Sequence, residues 1–238
     1  ADSLNACILG EKAVPGTAEF DLFIKEVSKE ITVKAGQKCT AVRRILVPDS
    51  LIDEVQFALS KRLASTAVGN PSVEGVRMGA LATKLQVERV RENASLLAKS
   101  QEIVFGSLDE VQVLGADASQ GAFFSPILFR NNNPFINTDV HDIECFGPVS
   151  TLMPYKSLED AISLARMGKG SLVSSIITPD DQEAMDYVLG AGSMHGRVLV
   201  LNERCAKEST GHGSPMPLLT HGGPGRAGGG EEMGGKRG

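Results

Sequence analysis

The alternation of short apolar runs with amphipathic segments constrains the fold of this chain more than any other feature. Apolar runs of strand length occupy residues 4–9, 43–47, 172–177 and 197–201. Apolar positions at helical spacing predict helices over residues 18–34, 51–63, 84–99, 157–167 and from 181 to 189. Because such helices cover the faces of a sheet, this order predicts an α/β layer architecture.

Glycine and proline set the expected limits of several elements. Residues 68–78 are rich in both and are predicted to form a loop. Residues 103–105 and 122–129 are predicted strands, and Pro126 places the second of them at a sheet edge or a bulge. Gly190 is expected to stop the helix that ends beside it.

Composition argues against several classes of partner. The net charge of −5 and the pI near 5.5 do not suit a nucleic-acid or anionic-membrane surface. Aromatic residues make up 5% of the chain and Trp is absent, which removes the usual base-stacking platforms. No apolar run approaches the roughly 20 residues of a membrane span, and no secretion signal opens the chain. We therefore expect neither a nucleic-acid nor a membrane partner.

The four cysteines, Cys7, Cys39, Cys145 and Cys205, are spaced too widely for a zinc ribbon or a small disulfide scaffold. A reduced, cytoplasmic protein is the simpler interpretation. The histidines have no metal-ligand spacing, so no metal site is predicted and solvated or capping roles are expected for them. Cys7, in an apolar run, is expected to be structural.

Cys39 differs from the other cysteines because it lies in a small polar turn, Ala-Gly-Gln-Lys-Cys-Thr, just before a predicted strand. A nucleophilic cysteine needs exposure and a stabilised thiolate. Lys38, Arg43 and Arg44 place positive charge nearby in sequence, and Gly36 allows close approach of the backbone to a substrate. Spacing alone nevertheless favours an ordinary surface cysteine over a nucleophile.

Five motifs in order along the chain change that balance. The segment GQKCTAVRRILVP resembles the active-site turn of aldehyde dehydrogenases, and GNPSVEGVRMGAL resembles their Gly-x-Pro loop, with Ala80 where proline is usual. IECFGPVSTLMPY is similar to their Glu-x-Phe-Gly-Pro-Val motif, GRVLVLN to the strand that ends in Asn, and HGGPGRAGGGEEMGG to the closing Gly-rich segment. The chain is most similar to the aldehyde dehydrogenase half of the ring-opening bifunctional enzymes of phenylacetate catabolism.

The resemblance implies a three-layer αβα sandwich, the cysteine-bearing catalytic domain of that family. It implies that Cys39 is the nucleophile, forming first a thiohemiacetal with an aldehyde and then a thioester, with NAD or NADP as cofactor. Glu144 would bind the nicotinamide ribose, and Phe146 would pack beside the nicotinamide. Gln86 and Arg89 fall where some members contact the ribose, although surface helix positions are an equal interpretation for both.

The resemblance also bears on domain organisation. Residues 1–238 are interpreted as a catalytic domain cut from a longer chain, in which the Rossmann-like cofactor domain and the oligomerisation strand are absent or incomplete. The general-base glutamate is expected to fall before Ala1. A homo-oligomeric parent protein is expected. Of the last 18 residues nine are glycine, which allows either a flexible linker or a folded loop with many positive φ angles.

Three functions remain open at this point. The first is oxidation of an aldehyde, such as a CoA-linked semialdehyde, to the acid. The second is a CoA-acylating aldehyde dehydrogenase or an acyl-phosphate reductase, which shares the thioester. The third is a non-catalytic, crystallin-like or scaffold relative. Cys205 is expected to be structural, by a small margin over a position that borders the substrate, and Met216 is expected to pack near the region that lines the substrate tunnel in the family. Cys145 is expected to point away from the cofactor.

Overall fold

A computed structural model describes residues 2–213 and 221–228. Within these residues the chain forms nine strands and five α-helices. The strands are β1 (Asn5–Leu9), β2 (Val42–Pro48), β3 (Ala67–Val68), β4 (Val76–Met78), β5 (Glu102–Phe105), β6 (Ile127–Arg130), β7 (Val149–Tyr155), β8 (Ser171–Ile177) and β9 (His195–Leu201). The helices are α1 (Ala18–Thr32), α2 (Ile52–Ala64), α3 (Lys84–Leu97), α4 (Leu158–Arg166) and α5 (Asp181–Ala191).

Seven strands form one sheet in the order β5-β6-β7-β2-β1-β8-β9. Every neighbouring pair is parallel except β5 and β6, which are antiparallel. The inner strands β1, β2 and β8 are buried along their whole length. Burial along the whole strand is typical of a parallel sheet covered on both faces, and apolar residues dominate these strands although β2 contains Arg43 and Arg44 and β8 contains Ser174 and Ser175.

Helices cover both faces of the sheet. The apolar sides of α1 and α2 pack on one face with Ile45, Val47 and Leu152, while α4 and α5 pack on the other with Leu46 and Met153. Helix α3 packs against the β6 end of the sheet through a third cluster that contains Phe129. The predicted three-layer αβα architecture is confirmed.

Helix starts follow from local chemistry. Thr17, Thr83 and Ser157 each accept a hydrogen bond from the backbone N–H three residues on, which begins α1, α3 and α4. Asp180 accepts from the N–H groups of Gln182 and Glu183 and begins α5, inside the predicted capping sequence. That helix continues through Gly190 to Ala191, two residues beyond the predicted end at Leu189, so the expected stop at Gly190 is wrong.

Strand β7 is missing from the sequence prediction, although it is buried and lies next to β2. Polar residues interrupt its apolar pattern in the sequence. In the structure they are satisfied: Ser150 donates to the Val42 carbonyl (2.7 Å), and Thr151 donates to the Gln101 side chain (3.0 Å). Satisfied hydroxyls of this kind can be buried at little cost, but they break the apolar run that marks a strand.

Two further expectations need correction. Residues 68–78 are not wholly loop, because β3 and β4 form a small parallel ladder there. The strand predicted over residues 122–129 begins only at Ile127, between β5 and β7, so it is not an edge strand. Pro126 lies just before it, where a missing N–H does not interrupt the ladder.

The Gly-rich segment is described only up to Gly228. Residues 225–227 form a turn of 3₁₀ helix, and Gly225 and Gly228 have φ values of 57° and 109°. The folded interpretation therefore holds for residues 221–228, while Met216 and residues 229–238 lie outside the described residues. Among the helices of the described parts, none has the length and apolar character needed to cross a bilayer.

Candidate active site

The segment that carries Cys39 begins with a strained turn. After α1 ends, Lys34, Ala35 and Gly36 have φ values of 54°, 52° and 68°. Side-chain-bearing residues adopt this left-handed region at a cost of about 1–2 kcal/mol each. A Cβ on Gly36 would lie 2.2 Å from the Gly147 carbonyl oxygen. The turn is thus docked directly on the segment before β7.

Cys39 itself is exposed, while the backbone beside it is held by buried side chains. The Asn5 amide, fully buried on β1, donates to the carbonyls of Cys39 (2.8 Å) and Ala41 (2.9 Å). The buried His212 Nδ1 donates to the Thr40 carbonyl (3.1 Å). An exposed thiol therefore sits on a rigid backbone. Its Sγ lies 3.6 Å from His221 Nε2.

The positive charges near Cys39 differ from those expected. Lys38 is committed to a part-buried ion pair with Glu30 at 2.7 Å. Arg44 leaves the region: it is fully buried and donates to the carbonyls of Leu4 and of the last turn of α4. Adjacent strand residues point to opposite faces, so only Arg43 stays on the Cys39 side. Arg197, which sequence analysis missed, also interacts electrostatically with Cys39.

Arg43 joins the cysteine segment to the Glu-x-Phe-Gly segment. Its Nη2 donates to the Gly36 carbonyl (2.7 Å) and its Nη1 to the Gly147 carbonyl (2.6 Å). Its Nε lies 3.7 Å from Glu144 Oε1, and its guanidinium lies 5.6 Å from the centre of the Phe146 ring. One buried side chain therefore fixes both segments in a single arrangement.

Glu144 and Phe146 differ in their exposure. The Glu144 side chain is 14% exposed, and burial raises the pKa of its carboxyl while the Arg43 guanidinium acts against that rise. Phe146 is 37% exposed, so part of its ring is open to a ligand. Between them Cys145 is buried, and burial raises the pKa of its thiol to about 12. Cys145 is thus buried while its two neighbours are partly exposed, which is the alternation of side chains predicted for an extended segment.

A hollow of about 450 Å³ lies beside this segment. Gln37 closes one side by donating to the Phe146 carbonyl (3.2 Å) and accepting from the Ala82 N–H (2.8 Å). Gln86, on α3, lines the same hollow as Phe146. Arg89 is exposed on α3 and is not among the residues that line it. Phe146 and Gln86 thus line one hollow, Arg43 joins Glu144 to the Cys39 turn, and Arg89 lies one turn beyond Gln86 on α3 without lining the hollow.

Three of the four histidines contradict the expectation of solvated or capping roles. His141, His195 and His212 are buried, and burial lowers the pKa of these imidazoles to about 4, about 3 and about 3. His221 is half-buried beside Cys39, whereas the sequence marks it only as part of the Gly-rich motif. Within residues 2–213 and 221–228, no three His, Cys, Asp or Glu side chains are grouped closely enough to hold a metal ion.

Cys7 is fully buried, and burial raises the pKa of its thiol to about 12. The thiol therefore stays protonated and unreactive, which agrees with the predicted structural role. Cys205 is half-buried, and its Sγ accepts from the Asn202 N–H at 3.4 Å. Among the four cysteines of the chain, Cys39 is the exposed one.

Comparison with known proteins assigns the chain to a family. The aldehyde dehydrogenase family matches residues 11–236 of the chain. The chain therefore belongs to the aldehyde dehydrogenase family, whose members are NAD- or NADP-dependent oxidoreductases. The predicted fold and family are confirmed together.

Among characterised relatives, the 3,4-dehydroadipyl-CoA semialdehyde dehydrogenase of Aromatoleum evansii is 45% identical over 94% of this chain and 44% of that protein. Protein MaoC of Klebsiella aerogenes is 47% identical over 67% of this chain and 46% of that protein. The chain thus spans less than half the length of either relative.

Solved structures share the fold at low identity. A double mutant of betaine aldehyde dehydrogenase from Staphylococcus aureus, in complex with NAD⁺, has a TM-score of 0.81 at 23% identity, over 98% of this chain and 43% of that one. Succinic semialdehyde dehydrogenase from Streptococcus pyogenes, in complex with NADP⁺, has a TM-score of 0.80 at 21% identity, over 98% and 46%.

The side chains of the loop that carries Glu144 and Phe146, of which Phe146 lines the hollow, suit a nicotinamide nucleotide. A carboxylate is an acceptor-only group and matches a pair of ribose hydroxyls, which donate. A half-exposed phenyl ring matches the flat face of a nicotinamide. Glu144 and Phe146 supply these two features from one loop, and Arg43 holds both. The residues present therefore fit the family's cofactor at this end of the molecule.

Proposed function

We propose that this protein oxidises an aldehyde to a carboxylic acid with NAD⁺ or NADP⁺, and that Cys39 is the nucleophile. The observation that carries the proposal is the exposure of Cys39 on a backbone fixed by Asn5 and His212, beside the loop of Glu144 and Phe146. Family membership supports the same reaction.

The chemistry at Cys39 has two halves. The thiolate attacks the aldehyde carbon, which forms an S–C bond and a thiohemiacetal oxyanion, to which the Cys39 backbone N–H is assigned as a donor. Collapse of this adduct expels a hydride and leaves a thioester on Cys39. A nicotinamide cofactor held by Glu144 and Phe146 would supply the acceptor for that hydride. Water then attacks the thioester carbon, the C–S bond breaks to regenerate the thiolate, and the two protons of the water pass to solvent as the carboxylate leaves.

The cofactor contacts follow from the loop before β7. Glu144 is assigned to accept hydrogen bonds from the nicotinamide ribose, and Phe146 to pack beside the nicotinamide. Gln86 lines the adjoining hollow and is assigned a contact to the same nucleotide. Arg89 stays in the proposal only as an exposed cation on α3 that can meet a phosphate or ribose.

A CoA-linked semialdehyde is the proposed substrate, because the relative that is 45% identical carries that activity in its name. We also propose that residues 1–238 act as the catalytic domain beside a cofactor domain, that the protein is a cytoplasmic homo-oligomer, and that its thiols are reduced. The wide spacing of the four cysteines supports the last point.

The test uses the intact protein that carries this chain. Replacing the nucleophile in Cys39→Ala is expected to abolish formation of NAD(P)H from an aldehyde substrate, while Cys205→Ser, a control at another partly exposed thiol, keeps it. Iodoacetamide should label the peptide that contains Cys39, and bound aldehyde should protect it. Undiminished turnover in Cys39→Ala would refute the mechanism.

The products distinguish the alternatives. Free acid supports the proposed hydrolytic reaction, whereas release of an acyl-CoA only when CoA is added would identify a CoA-acylating enzyme. Reduction of an acyl phosphate would identify the third chemistry. No turnover with any aldehyde, despite binding of NAD(P)⁺, would support a non-catalytic relative.

A further inference from the structure

His221 and Cys39 are separated by 182 positions in sequence, yet their side chains meet. Cys39 Sγ lies 3.6 Å from His221 Nε2, within the range of a hydrogen bond to sulfur. His221 is half-buried at the start of the described part of the Gly-rich segment, and Gly222 and Gly223 follow it. The Gly-rich segment therefore places the His221 imidazole beside the Cys39 thiol.

The other histidine of this region cannot serve the thiol. His212 Nδ1 donates to the Thr40 carbonyl, which can only accept, so the neutral ring must accept from the Ser175 hydroxyl at Nε2 (2.6 Å). Both nitrogens are thereby used for structure. Burial lowers the pKa of His212 to about 3, which keeps it neutral. His221 is the histidine that contacts the sulfur.

The charges around the pair favour a thiolate. On β2, Arg43 interacts electrostatically with Cys39, and on β9 Arg197 does the same. Two carboxylates of the described neighbourhood are already paired: Glu30 of α1 with Lys38, and Glu144 with Arg43. A negative sulfur therefore contacts the His221 imidazole and feels the charge of Arg197 and, more weakly, of Arg43, which is shared with Glu144.

We propose that His221 accepts the proton of the Cys39 thiol and holds the resulting thiolate as an ion pair ready to attack a carbonyl carbon. The S–H bond breaks, an N–H bond forms at Nε2, and the sulfur keeps the electron pair that becomes the S–C bond. When hydrolysis of the thioester expels the sulfur as a thiolate, the imidazolium pairs with it again, or returns the proton if the thiol form is restored. Electrons and protons balance without another reactant.

This inference rests on the proposed function for its place in a reaction, but the pair itself can be tested by thiol chemistry alone. The probe is iodoacetamide, with the rate of alkylation of the Cys39 peptide followed by mass spectrometry between pH 5 and pH 10 in the intact protein. The background variant is Cys205→Ser, so that the label reports mainly on Cys39. The test variant is His221→Gln, which keeps a hydrogen-bonding amide but cannot hold the proton at neutral pH.

In the background protein we expect a plateau of alkylation at neutral pH, because the thiolate forms below the ordinary thiol range of about 8.5. In His221→Gln the midpoint should move upward by at least about one pH unit, and the rate at pH 7 should fall about tenfold. The shift of the midpoint is the sharper readout, because thiolates with a lower pKa are also weaker nucleophiles. Coincident profiles in the two proteins would overturn the inference.

Two further measurements keep the result decisive. If His221→Gln does not fold, the ultraviolet absorbance of the thiolate is titrated in the unmodified protein against Cys39→Ser. A thiolate band present at pH 7 supports the pair, and one that forms only above the ordinary thiol range refutes it. A loss of turnover in Cys39→Ala with an unchanged alkylation profile in His221→Gln removes this inference alone. A shifted profile with retained turnover in Cys39→Ala removes the proposed function instead.

Discussion

Gly36 is the position at which one added methyl group should separate the Cys39 turn from the loop before β7, which carries Glu144 and Phe146. In Gly36→Ala the new Cβ would lie 2.2 Å from the oxygen and 2.5 Å from the carbon of the Gly147 carbonyl, and 2.8 Å from Pro148 Cα. All three are backbone atoms, so no side-chain rotation relieves the contact. Either the turn or the loop before β7 has to move.

The magnitude follows from two contributions. The φ of 68° at Gly36 costs an alanine about 1–2 kcal/mol. Moving the two segments apart also lengthens the bonds from Arg43 to the carbonyls of Gly36 and Gly147, and hydrogen bonds to a charged group contribute about 1.5–3 kcal/mol. We therefore expect a loss of about 3–5 kcal/mol, and a melting temperature lower by roughly 6–20 °C for a chain of this size.

The matched control is Gly75→Ala. Gly75 has a φ of 90°, and no atom lies within 4 Å of the position that a Cβ would take there, so alanine meets backbone strain without a clash. Calorimetry on both variants separates the two contributions, and the alkylation rate of Cys39 reports on the site. If Gly36→Ala lowers the melting temperature no more than Gly75→Ala, and Cys39 reacts as before, the docking of the two segments through Gly36 is not what holds the site.

Three other substitutions test the same arrangement. Arg43→Lys should lose about 2–4 kcal/mol in chemical denaturation, because one ammonium cannot bond both carbonyls, while exposed Arg204→Lys changes stability by less than about 0.5 kcal/mol. Glu144→Gln should raise KM for NAD(P)⁺ about tenfold at nearly constant kcat in steady-state kinetics; an unchanged KM would remove Glu144 from the cofactor site. The unfolded chain protonates His212 near pH 6.5 but the folded chain only at about 3, so stability should fall as pH drops through that window, and thermal melts of His212→Gln should show a flatter fall.

The sequence predicted β1, β2, β8 and β9 from runs in which apolar residues dominate, with differences of one or two residues at their ends, and it missed the buried strand β7. β7 was missed because Ser150 and Thr151 break its run, although both are buried and hydrogen-bonded in the fold. A single sequence does not show which hydroxyls will find partners, since the partners lie on distant elements.

The site shows the same division between local and distant information. The polar turn around Cys39 and the motif around Glu144 are local, and both could be recognised in one dimension. Their joining through Arg43, and the approach of His221, depend on pairs more than a hundred residues apart. Arg43 and Arg44 were treated alike as charges near the cysteine, but strand alternation alone assigns them to opposite faces once β2 is placed.

The position of the site on the sheet explains why so much buried polar structure surrounds one thiol. In open parallel sheets ligands usually bind beyond the carboxyl ends of the strands. Here Cys39 precedes β2 and Glu144 precedes β7, so the site lies at the amino ends of neighbouring strands. These two loops lead into strands rather than helices, so no helix N-terminus fixes their conformation. Buried hydrogen-bond donors fix it instead: Asn5 donates to the Cys39 carbonyl, and Arg43 donates to a carbonyl of each loop. An exposed sulfur keeps a fixed position there because Asn5 and Arg43, the groups behind it, are buried and hydrogen-bonded to the backbone of both loops.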